Sequence, residues 1–509
     1  MELSKNPNRD IFVLIAILIG FMISYAYVFD TKIDMNGDNA SYYMLGKALW
    51  QGEGYVSINS IFKSPNNHFP PGYPVIISGV LHVWDSFTAV KLLNGLFLLC
   101  TLILAYFIVR DISGNNVIAW ISIPFLLVNT HLLRFSTIMM SEIPFLFFSL
   151  LSIYFFFKAY HQTGKREITN YIAAFIFFMV AFYIRTLGIA LLASFGLVVI
   201  FDLKKKWKVL AAYIPAFVLF FVPWWLRSQH LGGNSYINQL VMINPYRPEL
   251  GPINAGELYV RIIKNIERYI TREIPDVLFP FKTFNYRDEA SIGEWITGIL
   301  IAAIIIAGIV NLKRYKKLVV GYMGSTFVAL LLWPDVWVGV RFVLPLLPFL
   351  LMGFLNGIQF LFTALRKKLN YTKTMPLWPV LLILIAFYPD VRNLHKKAKM
   401  KYEPKWNNYF ETAKWFRKRE ITDVVVSCRK PVMFYLYSGT FTTKYKYTQD
   451  DKDLITDLRA RKTDYVVIDQ LGYSSTFRYL FPAIQNNSDQ FELILHIEKP
   501  DTYLLKLLP

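Results

Sequence analysis

The chain has 509 residues, 55% of them hydrophobic and 17% aromatic, with a net charge of +19. Charged residues make up only 17%, against roughly 25% in a typical soluble domain, and mean hydropathy is +0.37. The apolar residues fall in long runs, which argues against a soluble multidomain protein, and the basic excess sits in short clusters between those runs, which argues against nucleic acid as a partner.

The first apolar run, Ile11 to Phe29, follows a short polar segment and has no small-residue cleavage site. It reads as a retained span and not a signal peptide. Ten further spans are predicted at 88–109, 117–133, 142–158, 170–184, 187–202, 209–226, 292–311, 317–333, 342–362 and 376–389. The predicted fold class is therefore a polytopic α-helical membrane protein of about eleven transmembrane helices, residues 1–390, followed by a soluble α/β domain, 391–509.

Orientation follows from the short loops. Lys5 and Arg9, Arg110, Lys158–Arg166, Lys204–Lys208, Lys313–Lys317 and Arg366–Lys373 fall on one side. The opposite turns carry single arginines, Arg134, Arg185 and Arg341. This asymmetry predicts a cytoplasmic N-terminus and an extracytoplasmic C-terminus, in a bacterial inner membrane. Two large loops, 30–87 and 227–291, fall outside with the tail. In the first, Ala40–Trp50 and Pro70–Trp84 read as interfacial helices with aromatic anchors.

In the tail, Lys405–Lys418 and Asp450–Arg461 read as helices. Asp423–Ser427, Tyr465–Asp469, Phe491–Ile497 and Thr502–Leu507 read as strands. There is no glycine-rich phosphate loop. The two cysteines, Cys100 and Cys428, suggest neither a disulfide framework nor a zinc site.

Few residues could carry chemistry. Asp38, in Asn36-Gly37-Asp38-Asn39, stands where a general base could meet a lipid-linked donor, and an N-cap is the alternative. Glu142 starts the fourth span. It is either a first-turn acid favoured by the helix dipole or a functional carboxylate, since an unpaired charge at an apolar boundary is costly. Arg185, Arg227 and Arg341 lie at outer helix ends, as interfacial snorkelling residues or as phosphate ligands, the latter favoured for Arg341. His68 and Lys63 are further candidates for a phosphate contact, and His68 also for a metal. No G-x-S-x-G, H-E-x-x-H or Walker motif occurs.

Taken in order, Gly37-Asp-Asn-Ala-x-Tyr-Tyr, Gly46-Lys-Ala-Leu-Trp-x-Gly-x-Gly-Tyr55, His68-Phe-Pro-Pro-Gly-Tyr73-Pro, Ser141-Glu-x-Pro, Pro223-Trp and Arg341-Phe-x-Leu-Pro-x-x-Pro348 resemble the GT-C class of membrane glycosyltransferases. Within it the chain is similar to the branch of protein O-mannosyltransferases and lipid A aminoarabinose transferases (glycosyltransferase family 39). The resemblance covers about residues 10–390. It implies transfer of a sugar from a polyprenyl-phosphate donor to a lipid, glycan or protein acceptor on the outer face, with inversion. It also implies Asp38 as base, Glu142 as a second acid, and Arg341 as the main phosphate ligand, with Tyr73 in the binding motif.

Two departures stand out. Relatives often carry Asp-Glu where this chain has Asp38-Asn39. The aminoarabinose transferases carry an acidic-basic pair where this chain has His68-Phe69-Pro70. No cofactor is required by the residues, and the question of a divalent metal stays open. The alternatives are a transporter or lipid flippase with an outer accessory domain, or a scaffold whose tail binds a surface polymer.

Overall fold

A computed structural model describes residues 7–35, 37–201, 203–233, 235–281, 284–286, 288–368 and 377–509. Lys5, Asn36 and the stretch 369–376, which includes Lys373, lie outside them. Among the described residues seven helices are long and apolar enough to cross a membrane: 8–28, 87–113, 142–160, 165–184, 207–230, 292–310 and 344–368. Each matches a predicted span. The predicted span 117–133 is a pair of helices, Asn116–Leu127 and Thr130–Ser136, bent by 57°. Pro124 interrupts the hydrogen-bond ladder, and Asn129 then caps the second piece by accepting from the N–H groups of His131 and Leu132. The remaining three predicted spans fall on shorter helical segments, Thr186–Ile200, Lys316–Leu331 and Trp378–Phe387.

The outward faces of these helices are apolar. On the first helix Ile17, Phe21, Tyr25 and Val28 are buried along one stripe, while Phe12 is 77% and Ile23 67% exposed. So much exposed apolar surface suits lipid and not water. The chain is an integral membrane protein.

Helix packing is tight where glycine allows it. The Ile292–Val310 and Leu347–Lys368 helices cross so closely that a Cβ on Gly308 would overlap the Gly353 carbonyl, and one on Gly357 the Ile304 carbonyl. Small residues at such a crossing let two backbones approach in a bilayer. Phe156 stacks on Phe195 at 4.0 Å between ring centroids, fixing the Glu142–Tyr160 helix against the Ile189–Ile200 helix.

The C-terminal region is a five-stranded sheet with helices. The strands are β1 (Val425–Ser427), β2 (Phe441–Thr443), β3 (Tyr465–Ile468), β4 (Phe491–Ile497) and β5 (Thr502–Leu507), in the order β2-β1-β3-β5-β4. The first three are parallel, and β5 runs antiparallel to β3 and β4. The two helices foreseen here fall at Pro404–Lys418 and Asp451–Ala460, and the four foreseen strands are β1, β3, β4 and β5. The Pro431–Ser438 helix and β2 were not foreseen.

β2 is an edge strand, and the loop that follows the first span covers it. Thr442 N–H donates to the Asn59 carbonyl at 2.7 Å, and Asn59 Nδ2 donates to Thr442 Oγ1 at 3.1 Å. This contact satisfies an exposed edge and docks the sheet on the loop. One apolar cluster accordingly runs from the membrane helices through the Pro404–Lys418 helix to β1 and β3.

The glycine crossing gives a direct stability test. Gly308→Leu should destabilise the protein by about 1–3 kcal/mol in thermal unfolding in detergent. Gly324→Ala, whose added Cβ meets nothing within 4 Å, should leave the melting temperature unchanged.

Candidate active site

The centre of the site is Glu142, the first residue of the Glu142–Tyr160 helix and fully buried. Its Oε1 lies 2.7 Å from Arg185 Nη1 and 3.2 Å from Arg341 Nε. Arg341 Nη1 in turn donates to Asp38 Oδ2 at 3.1 Å. Four of the predicted site residues therefore form one chain of alternating charge, Asp38–Arg341–Glu142–Arg185. Neither Glu142 oxygen makes an aligned hydrogen bond, so its two contacts are ionic. Arg185 also donates to Ser141 Oγ at 3.3 Å.

Local structure explains why these residues meet. Asp38 lies in the first turn of the Gly37–Trp50 helix, one residue past its start. Its neighbour Asn39 is fully buried and accepts from the Met139 N–H at 2.7 Å. Tyr42, one turn on, meets Ser141 Oγ at 3.2 Å. One face of this helix thus docks on residues 139–141, which bring Glu142 with them. The position where relatives carry a second acid is used here to hold backbone.

Arg185 ends the Lys165–Ile184 helix in extended backbone, turning its side chain inward. The first loop presses on this point: a Cβ on Gly72 would lie 2.6 Å from the Tyr183 carbonyl carbon. Only glycine fits there, which ties the Pro-Pro-Gly-Tyr-Pro segment to the Arg185 bend.

Arg341 is positioned from the second large loop. The Ala255–Arg268 helix and the π-turn after it present Arg261, Asn265, Arg268 and Glu273 to the end of the Lys316–Leu331 helix. Asn265 Nδ2 donates to the carbonyls of Leu331 and Trp333, both at 2.9 Å, and Arg268 donates to that of Asp335 at 2.6 Å. These side chains cap helix carbonyls that would otherwise lack partners. Glu273 pairs with Arg268 at 3.0 Å and accepts from the Gly339 N–H at 2.8 Å. Burial raises the Glu273 carboxyl to about 7, and Arg268 opposes the rise. Gly339 has φ +119°, a backbone open to glycine, and the turn it makes delivers Val340–Phe342.

A cavity of about 1260 Å³ opens over this network. Asp38, His68, Arg185 and Arg341 line it from the membrane helices and the first loop. Arg429, Lys430 and Lys444 line it from the C-terminal region. Burial lowers the His68 pKa from its ordinary value, Asp38 opposes this and Lys444 adds to it. Burial thus favours the uncharged imidazole of His68. Among the described residues no group of three or more His, Cys, Asp or Glu comes together to hold a metal.

Three predicted site residues do not line the cavity. Lys63 is exposed and pairs with Glu53 at 2.7 Å. Tyr73 is fully buried and hydrogen-bonded to Asn94. Arg227 donates to the Asn66 carbonyl at 3.0 Å and lies over the rings of Trp224 and Tyr55. It braces the loop that carries His68. Conversely, Arg429, Lys430, Lys444 and Tyr473 line the cavity although no motif marks them.

The buried network predicts its own energetics. Glu142→Gln keeps the volume but leaves two guanidinium groups without their shared anion, and should cost about 3–5 kcal/mol. Adding Arg185→Gln should cost less than the sum of the single changes, because it removes a charge already uncompensated. Thermal unfolding of the three variants checks this.

Comparison with known proteins bears on the same region. Residues 67–229 match the family model of dolichyl-phosphate-mannose-protein mannosyltransferases. No curated protein sequence matches the chain. The structure is similar to that of ArnT from Cupriavidus metallidurans bound to undecaprenyl phosphate, with a TM-score of 0.61, 11% identity, and 97% of each chain covered. It is also similar to the apo form of that protein, with a TM-score of 0.56, 12% identity, and the same coverage. Over nearly its whole length, therefore, the chain has the ArnT-like GT-C fold.

Proposed function

We propose that the chain is a membrane glycosyltransferase that moves a sugar from a polyprenyl-phosphate carrier to an acceptor hydroxyl. The observation that carries this is the placement of Asp38. Its carboxylate faces a large cavity and sits 3.1 Å from Arg341. The likeness to ArnT with its bound undecaprenyl phosphate and the mannosyltransferase match support the donor class.

The chemistry follows from the charges. Asp38 accepts the proton of the acceptor hydroxyl as its oxygen bonds to the anomeric carbon. The sugar–phosphate C–O bond breaks, and its electron pair stays on the leaving lipid phosphate. Arg341 and Arg185 face that growing negative charge and offset it. Attack opposite the leaving group inverts the anomeric centre. Glu142 touches no substrate in this scheme. It holds the two guanidinium groups in place, so it is a positioning residue and not a base.

Sidedness belongs to the same proposal. The ends of the spans near Arg134, Arg185 and Arg341 share one cavity with residues 429–478. Lys158, Lys313 and Lys317 lie at the opposite helix ends. With the basic ends in the cytoplasm of a bacterial inner membrane, the cavity and a soluble domain of about 391–509 are extracytoplasmic.

Asp38→Asn should lower transfer from a polyprenyl-phosphate sugar by about 10²–10⁴-fold in a reconstituted assay, with the melting temperature little changed. Full activity in this variant would contradict the assignment of the base.

A further inference from the structure

Cations from several elements line the cavity, among them Arg185 and Arg341 and, from the C-terminal region, Arg429, Lys430 and Lys444. Arg185 and Arg341 are paired with Glu142 and Asp38. Arg429, Lys430 and Lys444 make no ion pair among the described residues. Arg429 Nε is buried and has no hydrogen-bond partner. Arg429 and Lys430 both lie on the Tyr473 ring, 4.3 and 4.5 Å from its centroid. Lys444 follows β2 and is open to the cavity. Asp469, whose charge acts on Arg429 and Lys430, is buried and accepts from the Leu471 N–H at 3.0 Å.

Holding three like charges together is unfavourable unless something offsets it. Burial, with Arg429 and Lys444 adding to it, lowers Lys430 to about 8. Lys444 is lowered too, by burial and Arg429. Asp38 and Asp469 offset part of this charge, but among the described residues neither forms an ion pair with the three cations.

We propose that Arg429, Lys430 and Lys444 form an anion site for a phosphate or carboxylate carried by the acceptor, on the part of the cavity lined by the C-terminal region. The inference builds on the transferase assignment. A polyprenyl-phosphate sugar is a phosphodiester with one negative charge and cannot occupy both groups. Its phosphate must stay near the membrane, where Arg185 ends one span and Arg341 precedes another. The second group sits on the sheet region, where a polar acceptor enters. An anion bound there places the acceptor hydroxyl toward Asp38, whose charge is felt by both lysines.

Lysine acetylation of the full-length protein in detergent at pH 8, read by peptide mass spectrometry, tests this without turnover. Inorganic phosphate at ten times its dissociation constant should slow labelling of Lys430 and Lys444 by about tenfold. Lys446, exposed and paired with Asp453 at 2.8 Å, and the exposed cluster at Lys313, Lys316 and Lys317 should label as before. Undecaprenyl phosphate should give no protection at Lys430 or Lys444. Protection by the lipid, with or without protection by phosphate, would assign the site to the donor and overturn the proposal. Equal labelling under all conditions would overturn it as well. Either failure leaves the transferase assignment standing, because that is decided by the Asp38→Asn assay.

Discussion

A fully buried carboxylate at the mouth of a membrane bundle must be paired, because an isolated charge there is strongly unfavourable. Glu142 meets that requirement with two arginines from distant parts of the sequence. The pairing fixes where the fourth span begins relative to the bend at Arg185 and the turn at Arg341. It also sets the height of Asp38, which reaches Arg341 from the first loop. The surrounding contacts serve this geometry. Asn39 and Tyr42 dock the Asp38 helix, Gly72 lets the first loop close on the Arg185 bend, and Glu273 holds the turn before Arg341.

The cavity above this network is assembled from separated segments, and each has its own anchor. The Ala255–Glu273 segment caps the end of a helix with a row of polar side chains, and so makes a rigid rim from a loop-rich region. The sheet region is held by its edge strand, which borrows a hydrogen bond from Asn59. Its cations therefore face the same space as Asp38. A rigid, cationic, partly enclosed volume next to a carboxylate is suited to phosphate chemistry, since preorganised charge needs no rearrangement as the transition state forms.

Much of this was legible in the sequence because membrane physics writes it in plain terms. Long apolar runs marked the spans, and basic clusters marked one set of ends. Asp38, Glu142 and Arg341 stood out because charge at an apolar boundary needs a reason. The short segments 187–202, 317–333 and 376–389 are apolar, but nothing local shows that they form short helices of a packed bundle. The bend within 117–133 was hinted at only by Pro124. Arg227 and Tyr73 were also candidates, yet they brace the first loop, because their partners are backbone and buried side chains that sequence does not display. The opposite error concerns Arg429, Lys430 and Lys444. In a polar tail such residues read as solvated surface, and only the docking of β2 on the first loop turns them toward the cavity. The cation-lined volume is a product of tertiary contact between residues almost 400 positions apart.

The proposed work of this geometry is to transfer a sugar from a lipid carrier. The most direct measurement is mass spectrometry of lipid-linked sugars and surface glycans in cells with and without the protein. Cells lacking it should accumulate a polyprenyl-phosphate-linked sugar and lose that sugar from one surface acceptor. An unchanged donor pool with unchanged glycans would contradict this role, as would movement of an unaltered substrate across the membrane.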